Sequence, residues 1–127
     1  MHQDTAVSKQ ILIIEDSGSF RMVVKVALER SGYEVMEASS ADKACTMLDG
    51  RTINLIVCDL NMPGMDGLSF VKHLRTTNYK FTPVVMLTTE STADKKSEAS
   101  ALGVKAWITK PFQPTQLVDA ISKLCPM

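Results

Sequence analysis

The sequence has little of what marks a secreted or membrane-inserted protein. Its three cysteines, Cys45, Cys58 and Cys125, are an odd number without metal-ligand spacing, which favours reduced thiols over a disulfide framework. The longest aliphatic runs are about four residues, whereas a membrane-spanning helix needs about 20. The N-terminus lacks the charged-then-apolar pattern of a signal peptide. These absences predict a cytoplasmic protein without membrane insertion.

An excess of charge of either sign is also missing. Lys plus Arg and Asp plus Glu number 14 each, so the formal net charge is +0. Phosphate binding through a broad basic face needs surplus cations, so no nucleic-acid partner is expected, and a polybasic membrane anchor is excluded as well. With 45% hydrophobic and 22% charged residues, the 127 residues are expected to form one folded domain without a separate output module.

Five short apolar segments predict β-strands. They are residues 11–14, 33–35, 55–58, 84–87 and 106–108. The first, third and fourth are apolar at consecutive positions and rich in β-branched residues, as in strands that are covered on both faces.

Between these segments the apolar residues follow a helical period. Helical spacing runs from Phe20 to Leu28, Ala41 to Leu48, Leu68 to Leu74 and Leu117 to Leu124. Capping patterns predict Ser40 and Asp66 as N-caps, Pro114 as a first helical residue, and Gly32 and Gly50 as helix ends. The segment 91–103 carries cap signals and ends at Gly103, but its only large apolar residue is Leu102. A helix there would bury mainly alanines and be weakly anchored.

Alternating strands and helices predict an α/β fold. We expect a five-stranded parallel sheet with five helices on both faces, a (βα)5 flavodoxin-like doubly wound arrangement with right-handed crossovers. The predicted domain is 1–127, with a core of about residues 9–124 and a frayed tail at 1–8. Ligands of such sheets bind beyond the carboxyl ends of the strands.

The residues at those strand ends carry the chemistry. Glu15 and Asp16 follow the first strand, Asp59 the third, Thr88 the fourth and Lys110 the fifth. Three neighbouring carboxylates repel one another and need protons or a cation, and hard oxygen ligands favour Mg²⁺, with Mn²⁺ as a substitute. A carboxylate beside Mg²⁺, an ammonium and a hydroxyl suits in-line phosphoryl transfer, with Asp59 as the nucleophile.

Four motifs together resemble the receiver domain of two-component response regulators. They are Glu-Asp-Ser at 15–17, Asp-Leu-Asn-Met-Pro-Gly-Met-Asp-Gly at 59–67, Leu-Thr-Thr-Glu at 87–90 and Lys-Pro-Phe at 110–112. They occur in the family's order and spacing over about residues 9–124, and their joint match is specific although no single motif is. Within the family, the single-domain chemotaxis regulators are the most similar.

The resemblance implies a role for each matching residue. Asp59 would accept a phosphoryl group from a histidine kinase. Asp16 and the backbone carbonyl of Asn61 would bind the metal together with Asp59, and Glu15 would hold a metal-bound water. Lys110 would pair with the phosphoryl group.

Further roles follow from the same resemblance. The Thr88 hydroxyl would move to the phosphoryl group, and the Lys110–Pro111 peptide bond would be cis. Asn61 and Glu90 would tune how readily water reaches the acyl phosphate, as in the short-lived chemotaxis type. Trp107 occupies the position of a ring that swings inward after phosphorylation.

Two residues depart from the family pattern. Glu15 replaces the more usual aspartate, and its extra methylene suits an outer-sphere role. Trp107 replaces tyrosine or phenylalanine, and its indole can only donate a hydrogen bond. For Trp107 a static core role and a switch role therefore both stay open.

The function that the resemblance implies is a stand-alone phosphorylation switch rather than an enzyme. The surface made by the segment 91–103, the strand at 106–108 and the last helix would change and bind an output partner, such as a flagellar motor switch component. The expected phosphodonor is a histidine kinase of the CheA type, a phosphatase is a further possible partner, and the unphosphorylated chain is expected to be a monomer.

Three alternatives are weighed against this function. Within signalling, the chain would serve as a phosphorelay intermediate or phosphate sink. A small aspartyl-phosphate phosphohydrolase would need a second acid two residues after the nucleophile, where this chain has Asn61. A flavodoxin would need a Ser/Thr-rich phosphate loop after the first strand, where Glu15 and Asp16 would repel phosphate.

Overall fold

The computed structural model describes residues 8–126, which form a five-stranded parallel sheet between two layers of helices. The strands are β1 (Gln10–Ile14), β2 (Glu34–Ala38), β3 (Leu55–Cys58), β4 (Val84–Thr88) and β5 (Ala106–Thr109). The helices are α1 (Gly18–Arg30), α2 (Ala41–Thr46), α3 (Gly67–Leu74), α4 (Ala93–Ala101) and α5 (Pro114–Leu124). The predicted fold class is confirmed, while the predicted tail lies, apart from Ser8, outside the described residues.

None of the helices described in this part of the chain combines the length and apolarity needed to cross a membrane.

The sheet separates two hydrophobic cores, and its central strands contribute to both. Leu12 and Ile14 of β1 pack into the core beneath α2, α3 and α4, which we call the α2–α4 core. Ile11 and Ile13 point the other way, into the core beneath α1 and α5, the α1–α5 core. Because both faces are covered, β1, β3 and β4 are apolar at consecutive positions, which explains the pattern of the sequence.

The strand order β2-β1-β3-β4-β5 determines where a ligand can bind. The chain after β1 returns through β2 on one side, whereas β3 lies on the other, so the connections diverge above β1 and β3. The register pairs Ile14 with Cys58, so Glu15 and Asp59, the residues that follow, emerge side by side. At the other side of the sheet, the Lys110 N–H donates to the Thr88 carbonyl at 2.9 Å.

Local capping agrees with the sequence at most helix ends. The side chains of Ser40 and Asp66 accept the backbone N–H groups of Lys43 and Ser69 as N-caps. Pro114 begins α5. Helix α4 has Ala99 as its only buried residue in the described chain, so the prediction of a helix anchored by alanine is confirmed.

The largest errors in predicted boundaries fall on two elements. The second strand covers Glu34–Ala38 rather than residues 33–35. The buried Tyr33 precedes this strand, and its hydroxyl donates to the Cys125 carbonyl at 2.9 Å. Helix α2 ends at Thr46 and not at Gly50. Its last turn tightens instead, with the N–H of Met47 bonded three residues back to the Ala44 carbonyl.

Candidate functional site

Three carboxylates converge at the carboxyl ends of β1 and β3. One side-chain oxygen from each of Glu15, Asp16 and Asp59 lies within 4.8 Å of the others. Glu15 is 4% exposed and Asp59 8%, whereas Asp16 is exposed. The structure therefore brings together the three acids that the strand ends predicted, in a site with a buried floor and one side open to solvent.

Lys110 supplies the positive charge of this site. Its Nζ lies 2.6 Å from Oε1 of Glu15 and 3.4 Å from Oδ2 of Asp59, and the side chain is 14% exposed. Three ionised carboxylates and one ammonium leave a formal charge of −2. Because part of this charge is buried, a nearby cation would be favourable at this site.

Glu15 is held in place from three directions. Its Oε1 accepts from Lys110 and its Oε2 accepts from the Ser17 N–H at 3.0 Å. Nη1 of Arg21 donates to the Glu15 carbonyl at 2.7 Å. Burial raises the pKa of Glu15, opposed by the hydrogen bonds from Lys110 and Ser17 and reinforced by Asp16 and Asp59. A cation bound nearby would favour the ionised carboxylate and so oppose this rise in pKa.

Thr88 ends β4, the strand next to β3, and Asn61 lies two residues after Asp59. Thr88 is fully buried at the end of β4, where its hydroxyl oxygen accepts the Glu90 N–H at 3.2 Å. Asn61 is exposed, and its N–H donates to Oδ1 of Asp59 at 3.4 Å. The hydroxyl is thus oriented by the loop after β4, and the Asp59 carboxylate by its own loop.

Trp107 lies away from the carboxylates, half-buried against the α2–α4 core. Its indole Nε1–H donates to the Glu90 carbonyl at 3.0 Å. The ring is thus packed in this state, but it is hydrogen-bonded to the loop that begins after Thr88.

The Lys110–Pro111 peptide bond is cis.

Two residues that shape the site are not evident as site residues in the sequence. The helical spacing places Phe20 on the apolar face of α1, yet Nζ of Lys110 lies 3.9 Å from the centre of its ring. Gly67 lies so close to the chain after β3 that an added Cβ would collide with the Asp59 carbonyl oxygen and lie 2.9 Å from the Leu60 Cα. The sequence offers one indication of their role, which is their position. Phe20 lies in the first turn of α1 and Gly67 is the first residue of α3, and both helices begin shortly after a strand that ends at the site.

Comparison with known proteins agrees with this geometry. Residues 11–122 match the family model of the response regulator receiver domain. Chemotaxis protein CheY1 of Helicobacter pylori is 36% identical over 115 residues, which cover 88% of this chain and 93% of that protein. The solved structure of Vibrio cholerae chemotaxis protein CheY4 is 38% identical, covers 93% of this chain and 99% of its own, and superposes with a TM-score of 0.88.

Other relatives are longer than this chain. The phosphate regulon transcriptional regulatory protein PhoB of Pseudomonas aeruginosa is 35% identical over 113 residues, which cover 88% of this chain but 49% of the relative. The chain thus spans about half the length of several curated relatives that it matches.

Proposed function

We propose a phosphorylation-controlled switch as the function of this chain, which belongs to the response regulator receiver domain family and is CheY-like in structure. The observation that carries the proposal is the convergence of Glu15, Asp16, Asp59 and Lys110 at one edge of the sheet. Asp59 is the proposed phosphoacceptor, and a histidine kinase, of the CheA type if the output is chemotaxis, is the proposed donor in the cytoplasm.

The proposed reaction is a transfer between two protein side chains. A carboxylate oxygen of Asp59 forms a bond to phosphorus while the bond from phosphorus to the donor's histidine nitrogen breaks, and that nitrogen takes up a proton. The Lys110 ammonium, 3.4 Å from Oδ2 of Asp59, is close enough to neutralise negative charge on the transferred group. The product is an acyl phosphate.

The donor set of the site fits Mg²⁺ or Mn²⁺. It consists of carboxylate oxygens from Glu15, Asp16 and Asp59, with no sulfur or imidazole within the cluster. Bound there, the ion would neutralise charge on the phosphoryl oxygens. Asp16 and Asp59 are the proposed direct ligands, with the Asn61 backbone carbonyl, and the more buried Glu15 is proposed to act through water.

Phosphorylation is proposed to change the surface formed by α4, β5 and α5. A phosphoryl group on Asp59 offers a new acceptor to the Thr88 hydroxyl, which in this state accepts from the Glu90 N–H. Movement of Thr88 shifts the loop before α4, a helix anchored in the core by Ala99. The changed surface then binds an output partner.

Two outputs follow from the two kinds of relative. Similarity to chemotaxis proteins over nearly their full length favours binding to a flagellar motor switch component. Similarity to PhoB favours control of transcription as the second candidate. Phosphotransfer from each of the host's histidine kinases in turn distinguishes these outputs and also a relay or phosphate-sink role, since a relay returns the group to a histidine.

The test of the acceptor uses the small donor acetyl phosphate with Mg²⁺. We expect the wild type to gain one phosphoryl group by intact mass, and Asp59→Asn to gain none. Asp66→Asn is the matched control, because Asp66 caps α3 through Oδ1 at 2.8 Å from the Ser69 N–H and asparagine caps equally well. Phosphorylation of Asp59→Asn at the wild-type rate would refute the assignment.

The same preparation reports the lifetime of the acyl phosphate. Asn61 and Glu90 are the proposed determinants of water access, and both match the short-lived type. After removal of the donor, we therefore expect the phosphoryl group to be lost on its own. A phosphorylated form that is stable for many hours would contradict this role.

A further inference from the structure

We propose that Phe20 is a positioning residue for Lys110, and that the face of its ring holds the ammonium between Glu15 and Asp59. The inference rests on the proposed role of Lys110 in phosphoryl transfer. Phe20 lies on α1, and its side chain contributes neither a hydrogen bond nor a charge to the site.

The geometry of the pair is that of a close cation–π contact. Nζ of Lys110 lies 3.9 Å from the centre of the Phe20 ring, inside the limit of about 6 Å for such interactions. The same nitrogen contacts Glu15 at 2.6 Å and Asp59 at 3.4 Å. The ammonium therefore has carboxylates on one side and an aromatic face on another.

Phe20 is held by contacts from two parts of the chain. Its backbone N–H donates to the Ser17 hydroxyl, the N-cap of α1, at 3.3 Å. Its ring packs edge to face against Phe112, with centroids 5.6 Å apart and planes at 64°. Phe112 lies two residues after Lys110, so the aromatic pair joins the start of α1 to the chain that carries the lysine.

An aromatic face can hold the ammonium without adding negative charge to the site, which a further carboxylate cannot do. A lysine side chain has many rotamers, and a site that uses it must restrict them. A fourth acid would hold the ammonium, but it would also repel the incoming phosphoryl group. The ring attracts the cation through its quadrupole without adding net charge.

The test compares Phe20→Leu with Phe20→Tyr by their affinity for beryllofluoride in the presence of Mg²⁺. Leucine retains the apolar bulk without the π face, and we expect its affinity to fall about three- to tenfold. Tyrosine keeps the face and should remain within about twofold of the wild type. Phe20→Met is measured as a second variant without a ring, in case the branched leucine disturbs folding.

Phe81→Leu is the matched control for losing a cation–π pair. Nζ of Lys80 lies 5.4 Å from the centre of the Phe81 ring, and Phe81 is 88% exposed before β4, at the opposite end of the sheet. This variant should leave the beryllofluoride affinity unchanged. If Phe81→Leu loses as much beryllofluoride affinity as Phe20→Leu, the proposal is overturned.

A direct readout is the proton NMR signal of the Lys110 ε-methylene group. Ring current should shift this signal upfield of the other lysines in the wild type and in Phe20→Tyr, and Phe20→Leu should return it to the ordinary position. An unshifted wild-type signal, or a loss of affinity without a change of shift, would overturn the positioning role. The NMR signal is read without phosphorylation, so it tests the pair even if Asp59 proves not to be the acceptor.

Discussion

At the scale of single residues, charge decides which side chains can occupy the site. Glu15 and Asp59 are both buried and lie beside Asp16, an arrangement that repels itself unless cations are present. Lys110 supplies one cation from the chain. The remaining negative charge is the physical reason why a divalent metal belongs in the proposed mechanism.

The sequence could predict the acids and the lysine because each ends a strand, and parallel strands end at one edge. It could not predict Phe20, since the helical period only indicates that the ring is apolar and faces inward. Its contact with Lys110 depends on how α1 packs beside the chain after β5, which no local pattern encodes.

Glu37 on β2, which shares Arg21 with the Glu15 carbonyl, gives a pH-dependent prediction. Arg21 and then Lys25 lower the pKa of Glu37 from its ordinary value of 4.5. A lowered folded-state pKa adds stability above the ordinary value, and this stability is lost as the pH falls through the lowered value. We expect Glu37→Gln to cost about 0.2–1 kcal/mol at pH 7, a range for solvent-screened pairs.

The measurement is urea unfolding of Glu37→Gln and the wild type at neutral and acidic pH. The difference in the free energy of unfolding between the two proteins should vanish at a pH well below the ordinary pKa of Glu37. Glu29→Gln on α1 is the control, because Glu29 is exposed and forms no ion pair among residues 8–126. If Glu37→Gln is destabilised equally at both pH values, the loss of the ion pairs is not the cause of the destabilisation.

At the scale of elements, the helices are unequally anchored. Helix α3 has Leu68, Phe70, Val71 and Leu74 among its buried residues, whereas Ala99 is the buried residue of α4. At its carboxyl end, α4 is held by Arg75, whose guanidinium donates to the carbonyls of Leu102 and Gly103. The sequence predicted the weak anchoring from its alanines, but the contact from Arg75 is visible only in the structure.

The boundaries of β2 and α2 differ from the prediction because of how these two elements pack. Strand β2 lies at an edge with Glu34 and Glu37 exposed, so it has no continuous apolar run that marks its ends. Helix α2 is short, and the apolar residues after it continue the helical spacing although the chain has already turned. Apolar spacing records burial, and burial persists beyond the hydrogen bonds that define a helix.

The start of α3 provides a test of close packing beneath the acceptor. In Gly67→Ala the new Cβ meets the backbone of Asp59 and Leu60, which cannot move as a flexible side chain would. We expect a destabilisation of about 1–3 kcal/mol from overpacking, measured by denaturant unfolding.

Gly18→Ala is the matched control, since Gly18 also begins a helix. Its Cβ would have Arg21 as its nearest neighbour, at an ordinary 3.8 Å. This variant should be as stable as the wild type or slightly more so. Equal stability of the two alanine variants would show that the backbone beneath Asp59 is not closely packed.

At the scale of the whole molecule, the site and the proposed output surface are connected through the loop after β4. The N–H of Glu90 donates to the Thr88 hydroxyl, and its carbonyl accepts from the Trp107 indole. A shift of Thr88 toward a phosphoryl group therefore changes the surroundings of the tryptophan, whether or not the ring itself swings.

Trp107 is the only tryptophan, so its fluorescence reports this connection. We expect beryllofluoride with Mg²⁺ to change its emission in the wild type. Asp59→Asn, which lacks the acceptor carboxylate, should show no change. A wild-type spectrum that stays unaltered at saturating beryllofluoride would contradict the proposed movement of the loop and favour a static core role for the indole.

The most direct test locates the phosphoryl group on the chain. Borohydride reduces an aspartyl phosphate to homoserine, and peptide mass spectrometry then reports which residue was modified. After treatment with acetyl phosphate and Mg²⁺, we expect homoserine at position 59, and we expect none there when the metal is chelated. Modification at another residue, or at position 59 without a divalent metal, would contradict it.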